Sequence, residues 1–209
     1  MLNFLIYGCF AYLLGSIPTA VWVGKRFYGL DVREHGSKNA GATNTFRVLG
    51  KKPGIVVLLV DVLKGLVAVF LPQFFLSSVV NYNELINLKI IAAIFVILGH
   101  VFPLFARFKG GKGVATSLGV IFALHPPAAF ICLGIFLIVF LISHFVSLGA
   151  IITAICFPLL IILVFKETSF SLIVFAIVIG VAVVVTHKKN IKRLIEGCEN
   201  KMYLTKRKM

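Results

Sequence analysis

The stretch Val114–Ile142, VATSLGVIFALHPPAAFICLGIFLIVFLI, decides how many times this chain crosses a membrane. It is apolar from end to end, too long for one helical crossing of about 20 residues and short for two. His125-Pro126-Pro127 lies near its middle. Two successive prolines break a helix, because proline lacks the N–H and its ring clashes with the preceding turn. We therefore read two short or tilted helices meeting at that turn. Outward from it, the apolar runs Leu2–Val23, Pro53–Leu76, Leu88–Ala106, Leu148–Phe165 and Ser169–Thr186 each have the length of one span. Between them fall the polar loop Gly24–Lys52, a short polar loop Asn81–Asn87, the compact basic loop Arg107–Gly113, and the turns Ser143–Ser147 and Lys166–Thr168.

Continuous apolar runs do not alternate as barrel strands do, and a helix satisfies its own backbone in lipid. The expectation is an all-α integral membrane protein with seven transmembrane helices, forming one membrane-integral domain over residues 1–209. Composition agrees: 60% of the chain is hydrophobic and 13% charged, more apolar surface than a soluble domain of 209 residues can hide. The first run lacks a basic leader region, so it reads as a retained span.

A net charge of +14 suggests nucleic acid at first sight. Here the cations are divided among short loops, which is a membrane-orientation signal instead. In the seven-span arrangement, segments 24–52, 107–113, 143–147 and 187–209 share one side and hold 18 of the 21 Lys and Arg. Lys89 and Lys166 lie opposite, and Lys64 lies within a span. The crowded side is therefore cytoplasmic, with the N-terminus outside and the C-terminus inside. A six-span count would separate the tail from the other basic loops.

The polar motifs gather on that side. The first is GSKNAGATN at residues 36–44, with Arg47 close behind. Small residues such as Gly41 let backbone amides approach an anion, Ser37, Thr43 and Asn44 add neutral hydrogen bonds, and Arg47 can supply a bidentate fork. An ordinary turn rich in turn-formers explains the composition equally well. The second is FKGGKG at residues 108–113: Gly110, Gly111 and Gly113 interleave with Lys112 just before a helix start, an arrangement that suits phosphate. It lacks Walker A spacing. The third is His187-x-x-Asn190-x-x-Arg193, with Gly197 and Glu199 beyond. Steps of three place these side chains near one helical face; by itself this segment reads as a basic juxtamembrane helix on anionic lipid.

Other polar residues have plainer readings. Asp61 and Lys64, one turn apart within a span, form an intrahelical pair. Gly15-Ser16-Ile17-Pro18-Thr19 interrupts the first span as a kink supported by hydroxyls. His100 is a packing histidine, and Ser147 a helix N-cap. The four cysteines form no metal-ligand spacing and read as small buried hydrophobes. The scattered Asp and Glu provide no metal cluster.

Taken in order, GSIPT, GSKNAGATN, D-x-x-KG, GH, FKGGKG and H-x-x-N-x-x-R-L-x-x-G-x-E span Gly15 to Glu199. This set resembles the bacterial acyl-phosphate:glycerol-3-phosphate acyltransferase family. The resemblance implies a seven-helix enzyme of the bacterial plasma (inner) membrane with its active site facing the cytoplasm. Such an enzyme moves a fatty acyl group from acyl phosphate to the 1-position of glycerol 3-phosphate, giving lysophosphatidic acid and inorganic phosphate. This is the first acylation of phospholipid synthesis. It further implies Ser37, His187 and Asn190 as catalytic, and Arg47 and Lys112 among the substrate-binding residues. Ser147 matches a serine of the family's cytoplasmic turn. With these we group Gly41, Thr43, Asn44, Gly110, Gly111, Gly113 and Arg193 as substrate-binding. His144 departs from the pattern, which carries arginine there in many relatives. The expected partners are the two small phosphorylated substrates and the lipid bilayer, with no cofactor, no metal, no nucleic acid and no obligate protein partner. The competing reading is a phosphate-ester transporter, against which the polar motifs crowd onto one face and no inverted repeat is evident.

Overall fold

The computed structural model describes residues 2–76 and 81–203. The end of the basic tail, residues 204–209, lies outside them. The described residues are helical, without a strand among them. In chain order the helices are α1 (Leu2–Gly15), α2 (Thr19–Tyr28), α3 (Ala42–Leu49), α4 (Lys51–Leu76), α5 (Tyr82–Val101), α6 (Val114–Leu124), α7 (Pro126–Ser143), α8 (Val146–Leu159), α9 (Phe170–Thr186) and α10 (Lys188–Ile195). They gather into two compact units, residues 1–126 and 127–209.

The break expected at His125–Pro127 is present, between the end of α6 at Leu124 and the start of α7 at Pro126. Five segments are long and apolar enough to cross a membrane: Phe4–Tyr28, Lys51–Gln73, Asn83–Ala106, Pro126–Ser143 and Val146–Val164. A sixth is obtained by joining α9 to α10 across a 58° bend. The segment α6 is apolar but has only 11 residues, so length alone does not make it a span. The segment Asn81–Asn87, expected as a loop, is mostly helix. Asn81 is its N-cap, and its side chain accepts the Glu84 amide at 2.9 Å. An Asx cap with an acid in the first turn is a helix start signal, and here it outweighs local polarity.

In the first unit, α1 packs on α5 and α4 on α6. Both crossings run through glycine. A Cβ on Gly15 would strike the Val96 backbone, and one on Gly65 the Thr116 backbone, so these helices approach as closely as small residues permit. Large side chains such as Leu59, Leu63 and Phe10 point outward and stay exposed, as lipid-facing residues do. Of the four cysteines expected to be buried, only Cys132 is; Cys9 and Cys198 are exposed.

The interruption of the first span is held to α4 by Lys64 and by one of its own two hydroxyls, that of Thr19. Lys64 Nζ donates to the Ile17 carbonyl at 3.2 Å and pairs with Asp61 at 2.7 Å. Thr19 donates to Asp61 at 3.4 Å, while the Ser16 hydroxyl has no partner among the described residues. A broken helix leaves carbonyls without intrahelical donors, and inside a bilayer a side chain must replace them. The Asp61–Lys64 pair is thus intrahelical, as expected, and also bridges α4 to the α1–α2 break. His100 Nδ1 lies 3.6 Å from the same carboxylate.

The polar loop after α2 is a folded cap rather than a strand of turns. Val32 and Ala40 are buried with Ala20, Val21 and Val57, and α3 lies over α4. Burial of this small core anchors the loop at Val32 and Ala40, on either side of the Gly36–Asn39 turn.

Candidate active site

In the first unit, the loop at 36–44 is organised around Asn44, which is buried and uses both ends of its amide. Its Nδ2 donates to the carbonyls of Val32 at 2.7 Å and His35 at 3.1 Å. Its Oδ1 accepts the Ser37 amide at 2.8 Å and the Ser37 hydroxyl at 3.1 Å. Asn44 was expected to contact a substrate. Its four bonds are spent within the loop, so it shapes the loop instead. Ser37 is half-buried, and its hydroxyl oxygen retains acceptor capacity after this donation.

Gly41 is the N-cap of α3, and no side chain caps that helix. The Gly41 carbonyl accepts the amide and hydroxyl of Thr45, each at 3.1 Å. Thr43 stands half-buried in the first turn. Arg47 lies in the last turn, exposed, its stem running past Gly36, and it makes no hydrogen bond or ion pair with any other described residue.

The second glycine-rich loop folds back on the end of α5. The Gly110 amide donates to Val101 O and the Gly111 amide to His100 O, both at 3.1 Å. A Cβ on Gly110 would strike the His100 carbonyl, and one on Gly111 the His100 imidazole. Gly110 and Gly111 were expected to bind substrate in a loop suited to phosphate, which open amides would serve. Both amides are already committed, and the glycines serve close packing instead. Gly113, at φ 82°, is the N-cap of α6, again without a side-chain cap, and Lys112 is half-buried beside it.

Asp31 and Arg33, which sequence reasoning passed over, tie this loop to the first. Asp31 Oδ1 caps the single turn Val32–Glu34 by accepting the Arg33 amide at 3.0 Å. The Arg33 side chain grips Asp31 through Nε at 2.9 Å and Nη2 at 2.6 Å. Its Nη1 donates to the carbonyls of Ala106 at 2.8 Å and Lys109 at 3.3 Å. The Arg33 hydrogen bond holds the Asp31 carboxyl well below the usual carboxylate range, against burial, which pushes it up. The one available signal was an acid in a strongly basic loop.

In the second unit, α9 ends at Thr186 and α10 restarts after His187, which is buried. His187 Nδ1 lies 2.7 Å from the Val183 carbonyl. A carbonyl only accepts, so Nδ1 carries the proton and Nε2 is the acceptor in the neutral ring. Asn190 and Arg193 project from α10 onto Glu199, with Asn190 Nδ2 at 2.6 Å and Arg193 Nε at 2.7 Å. The Ser147 hydroxyl donates to the same carboxylate at 2.9 Å. Ser147 is not the N-cap of α8; Phe145 holds that position. The donors that Ser147 and Arg193 were expected to turn on a substrate are thus engaged by Glu199, although Arg193 keeps its Nη groups. Burial raises the Glu199 carboxyl, but hydrogen bonds from Arg193, Asn190 and Ser147 outweigh it and leave the group below its usual value. His144, at φ 61°, packs its ring on Tyr203 and accepts the Met202 amide on its carbonyl, so it seats the tail.

Comparison with known proteins points one way. The family model described as glycerol-3-phosphate acyltransferase matches residues 5–197. Among relatives, a glycerol-3-phosphate acyltransferase of Fusobacterium nucleatum subsp. nucleatum is 46% identical, covering 91% of this chain and 93% of its own. One of Chlorobaculum tepidum is 41% identical, covering 97% of each. Among solved structures, PlsY (YgiH), an integral membrane glycerol 3-phosphate acyltransferase, in its glycerol 3-phosphate form superposes with a TM-score of 0.85. It is 37% identical and covers 96% of both chains. Its lysophosphatidic acid form gives a TM-score of 0.82 at the same identity.

Proposed function

Because the chain belongs to the glycerol-3-phosphate acyltransferase family, we propose that it transfers a fatty acyl group from acyl phosphate to the 1-position of glycerol 3-phosphate. The products are lysophosphatidic acid and inorganic phosphate, and the step is the first acylation of bacterial phospholipid synthesis. The observation that carries this reading is the ending of both glycine-rich loops. Each runs into a helix N-terminus with no side-chain cap, α3 after Gly41 and α6 after Gly113, with Arg47 and Lys112 on the same segments. Uncapped helix starts suit anions; Lys112 adjoins the one at Gly113, Arg47 lies in the last turn of α3, and both proposed substrates carry phosphate.

The hydroxyl oxygen of glycerol 3-phosphate attacks the acyl carbon. The bond from that carbon to the phosphate oxygen breaks, and phosphate leaves with the electron pair. The hydroxyl proton passes to a substrate phosphate oxygen, with His187 and Asn190 as positioning groups. The alternative acceptor is His187 Nε2, which the Nδ1–Val183 bond leaves deprotonated in the neutral ring. Ser37 offers its hydroxyl oxygen to the substrate. Acyl phosphate is already activated, so neither a covalent enzyme intermediate nor a cofactor is required. None of the five histidines has Asp five positions on, the usual mark of CoA-dependent acyltransferases, which favours the phosphate donor. If both His187→Ala and His187→Gln keep most of their turnover, His187 is not the base.

The charge asymmetry supports seven membrane helices, counting α6, in the bacterial plasma membrane. The N-terminus then lies outside and the C-terminus and reacting groups on the cytoplasmic side. The test is purified protein in lipid with palmitoyl phosphate and glycerol 3-phosphate, measuring phosphate and lysophosphatidic acid together, with palmitoyl-CoA as parallel donor. Matched formation of both products from acyl phosphate alone is expected. Product from CoA would refute the donor assignment. Neither product from folded protein would refute acyl transfer, and labelled glycerol 3-phosphate crossing vesicles unacylated would put transport in its place.

A further inference from the structure

The second basic loop contains an unusual backbone. Arg107 and Phe108 are consecutive, neither is glycine, and both are left-handed, at φ 55° and 57°. L-residues rarely adopt this conformation, and a pair in succession persists only where the surroundings enforce it. The local backbone bonds are the Phe108 amide to Pro103 O at 2.9 Å and the Lys109 amide to Ala106 O at 3.3 Å. Both Arg107 and Phe108 are exposed, so packing does not hold them. Beyond the Gly110 and Gly111 amides, which tie the loop's exit to Val101 and His100, the group that brackets them is Arg33. Its Nη1 reaches the carbonyl of Ala106 just before the pair, and that of Lys109 just after it.

Arg33 is well placed for this task. Asp31 grips the other edge of its guanidinium with both carboxylate oxygens and is itself buried, with Lys25 Nζ 3.3 Å away. The turn that carries Arg33 is fastened to α3 by Asn44, through the carbonyls of Val32 and His35. The helix bearing Arg47 is therefore linked by Asn44 to the short turn 32–35, and that turn by Arg33 to the loop bearing Lys112. We propose that Arg33 is a positioning residue that locks the Arg107–Phe108 turn and thereby sets the Lys112 loop against the Arg47 loop. Its catalytic consequence rests on the reading that these cations hold substrate phosphate. Lysine cannot substitute fully, because one ammonium cannot present a flat edge to Asp31 and a second edge to two carbonyls.

The experiment compares wild type with Arg33→Ala and Arg33→Lys by two readouts. The first is the rate of tryptic cleavage after Arg107 and Lys109 in the intact protein in lipid nanodiscs, where trypsin reaches both faces, with cleavage after the exposed Lys166 as internal control. Proteolysis of a turn requires local release, so Arg33→Ala is expected to cleave about tenfold faster there and equally at Lys166, with Arg33→Lys intermediate. The second is steady-state kinetics. Loosened phosphate contacts raise KM for glycerol 3-phosphate about tenfold in Arg33→Ala while kcat stays within about threefold. Unchanged cleavage at Arg107 and Lys109 would overturn the proposal, and if KM rose all the same, Arg33 would be touching substrate directly. Faster cleavage at Lys166 as well, with KM unchanged and lower maximal rate, would reduce Arg33 to general stability and also overturn it. If wild type forms no lysophosphatidic acid, the acyl-transfer reading fails, and the cleavage readout still decides whether Arg33 holds the turn.

Discussion

The side-chain oxygen of Asn44 accepts both the amide and the hydroxyl of Ser37, at 2.8 and 3.1 Å, while its nitrogen donates to two carbonyls of the preceding turn. Asn44→Asp replaces that nitrogen by an oxygen facing the carbonyls of Val32 and His35. Each buried polar group left without its partner costs about 1–3 kcal/mol. We expect Asn44→Asp to unfold at lower temperature than Asn44→Ala, and both below wild type, in thermal denaturation followed in detergent. Melting of Asn44→Asp together with wild type would remove Asn44 from its organising role.

Gly110 and Gly111 differ in what they press against. The first meets the backbone carbonyl of His100, the second its imidazole. A backbone cannot step aside, whereas a side chain can be deleted. Gly110→Ala is therefore expected to lose activity regardless of His100, and Gly111→Ala to recover at least part of its activity when combined with His100→Ala. Equal damage in Gly111→Ala with and without the imidazole, measured as kcat/KM, would argue that the methyl obstructs something else.

Asp61 and Lys64 are buried together within the membrane-spanning part of the first unit. Removing one partner leaves the other charge without its counter-ion, a loss of about 3–5 kcal/mol for buried pairs in general. Asp61→Leu and Lys64→Met should each lower thermal stability strongly, while the double variant lies closer to wild type than either single one. Additive losses in the double variant would mean that the contacts to Ile17 and Thr19, not the ion pair, dominate.

Glu199 is held below its usual pKa by three donors against the opposing effect of burial. A carboxyl with a depressed folded-state value contributes stability that is fully present above its unfolded value, about 4.3, and is lost as pH falls through the folded one. Thermal stability of the wild type should therefore decline on acidification below that range. Glu199→Gln should be less stable at neutral pH and flatter across the acid limb. Parallel pH curves for the two proteins would show that Glu199 does not carry this dependence.

Several features were legible because they rest on local rules. The double proline after His125 ends α6 wherever the chain goes. The acid–base pair three residues apart in α4 must meet on one helical face, and Asn190 and Arg193 share a face of α10 for the same reason. The helix start at Asn81 was equally local and was misread, because its polarity resembled a loop's more than its cap resembled a helix's.

By itself, then, the sequence determined the helical membrane class, the break between α6 and α7, and the gathering of cations and glycines into a few polar segments. Periodicity, proline chemistry and charge count are properties of neighbours along the chain. Only the tertiary structure decided which donors are already spent. Asn44, the amides of Gly110 and Gly111, and Ser147 looked available to a ligand and are taken up within the protein. Arg33, which was passed over, and Glu199, noted only as the end of the third motif, are hubs. The physical reason is that a hydrogen-bond partner is assigned by whichever orphaned carbonyl or amide the packing brings near. Ser147 and Glu199, 52 positions apart, become neighbours only when the chain is folded.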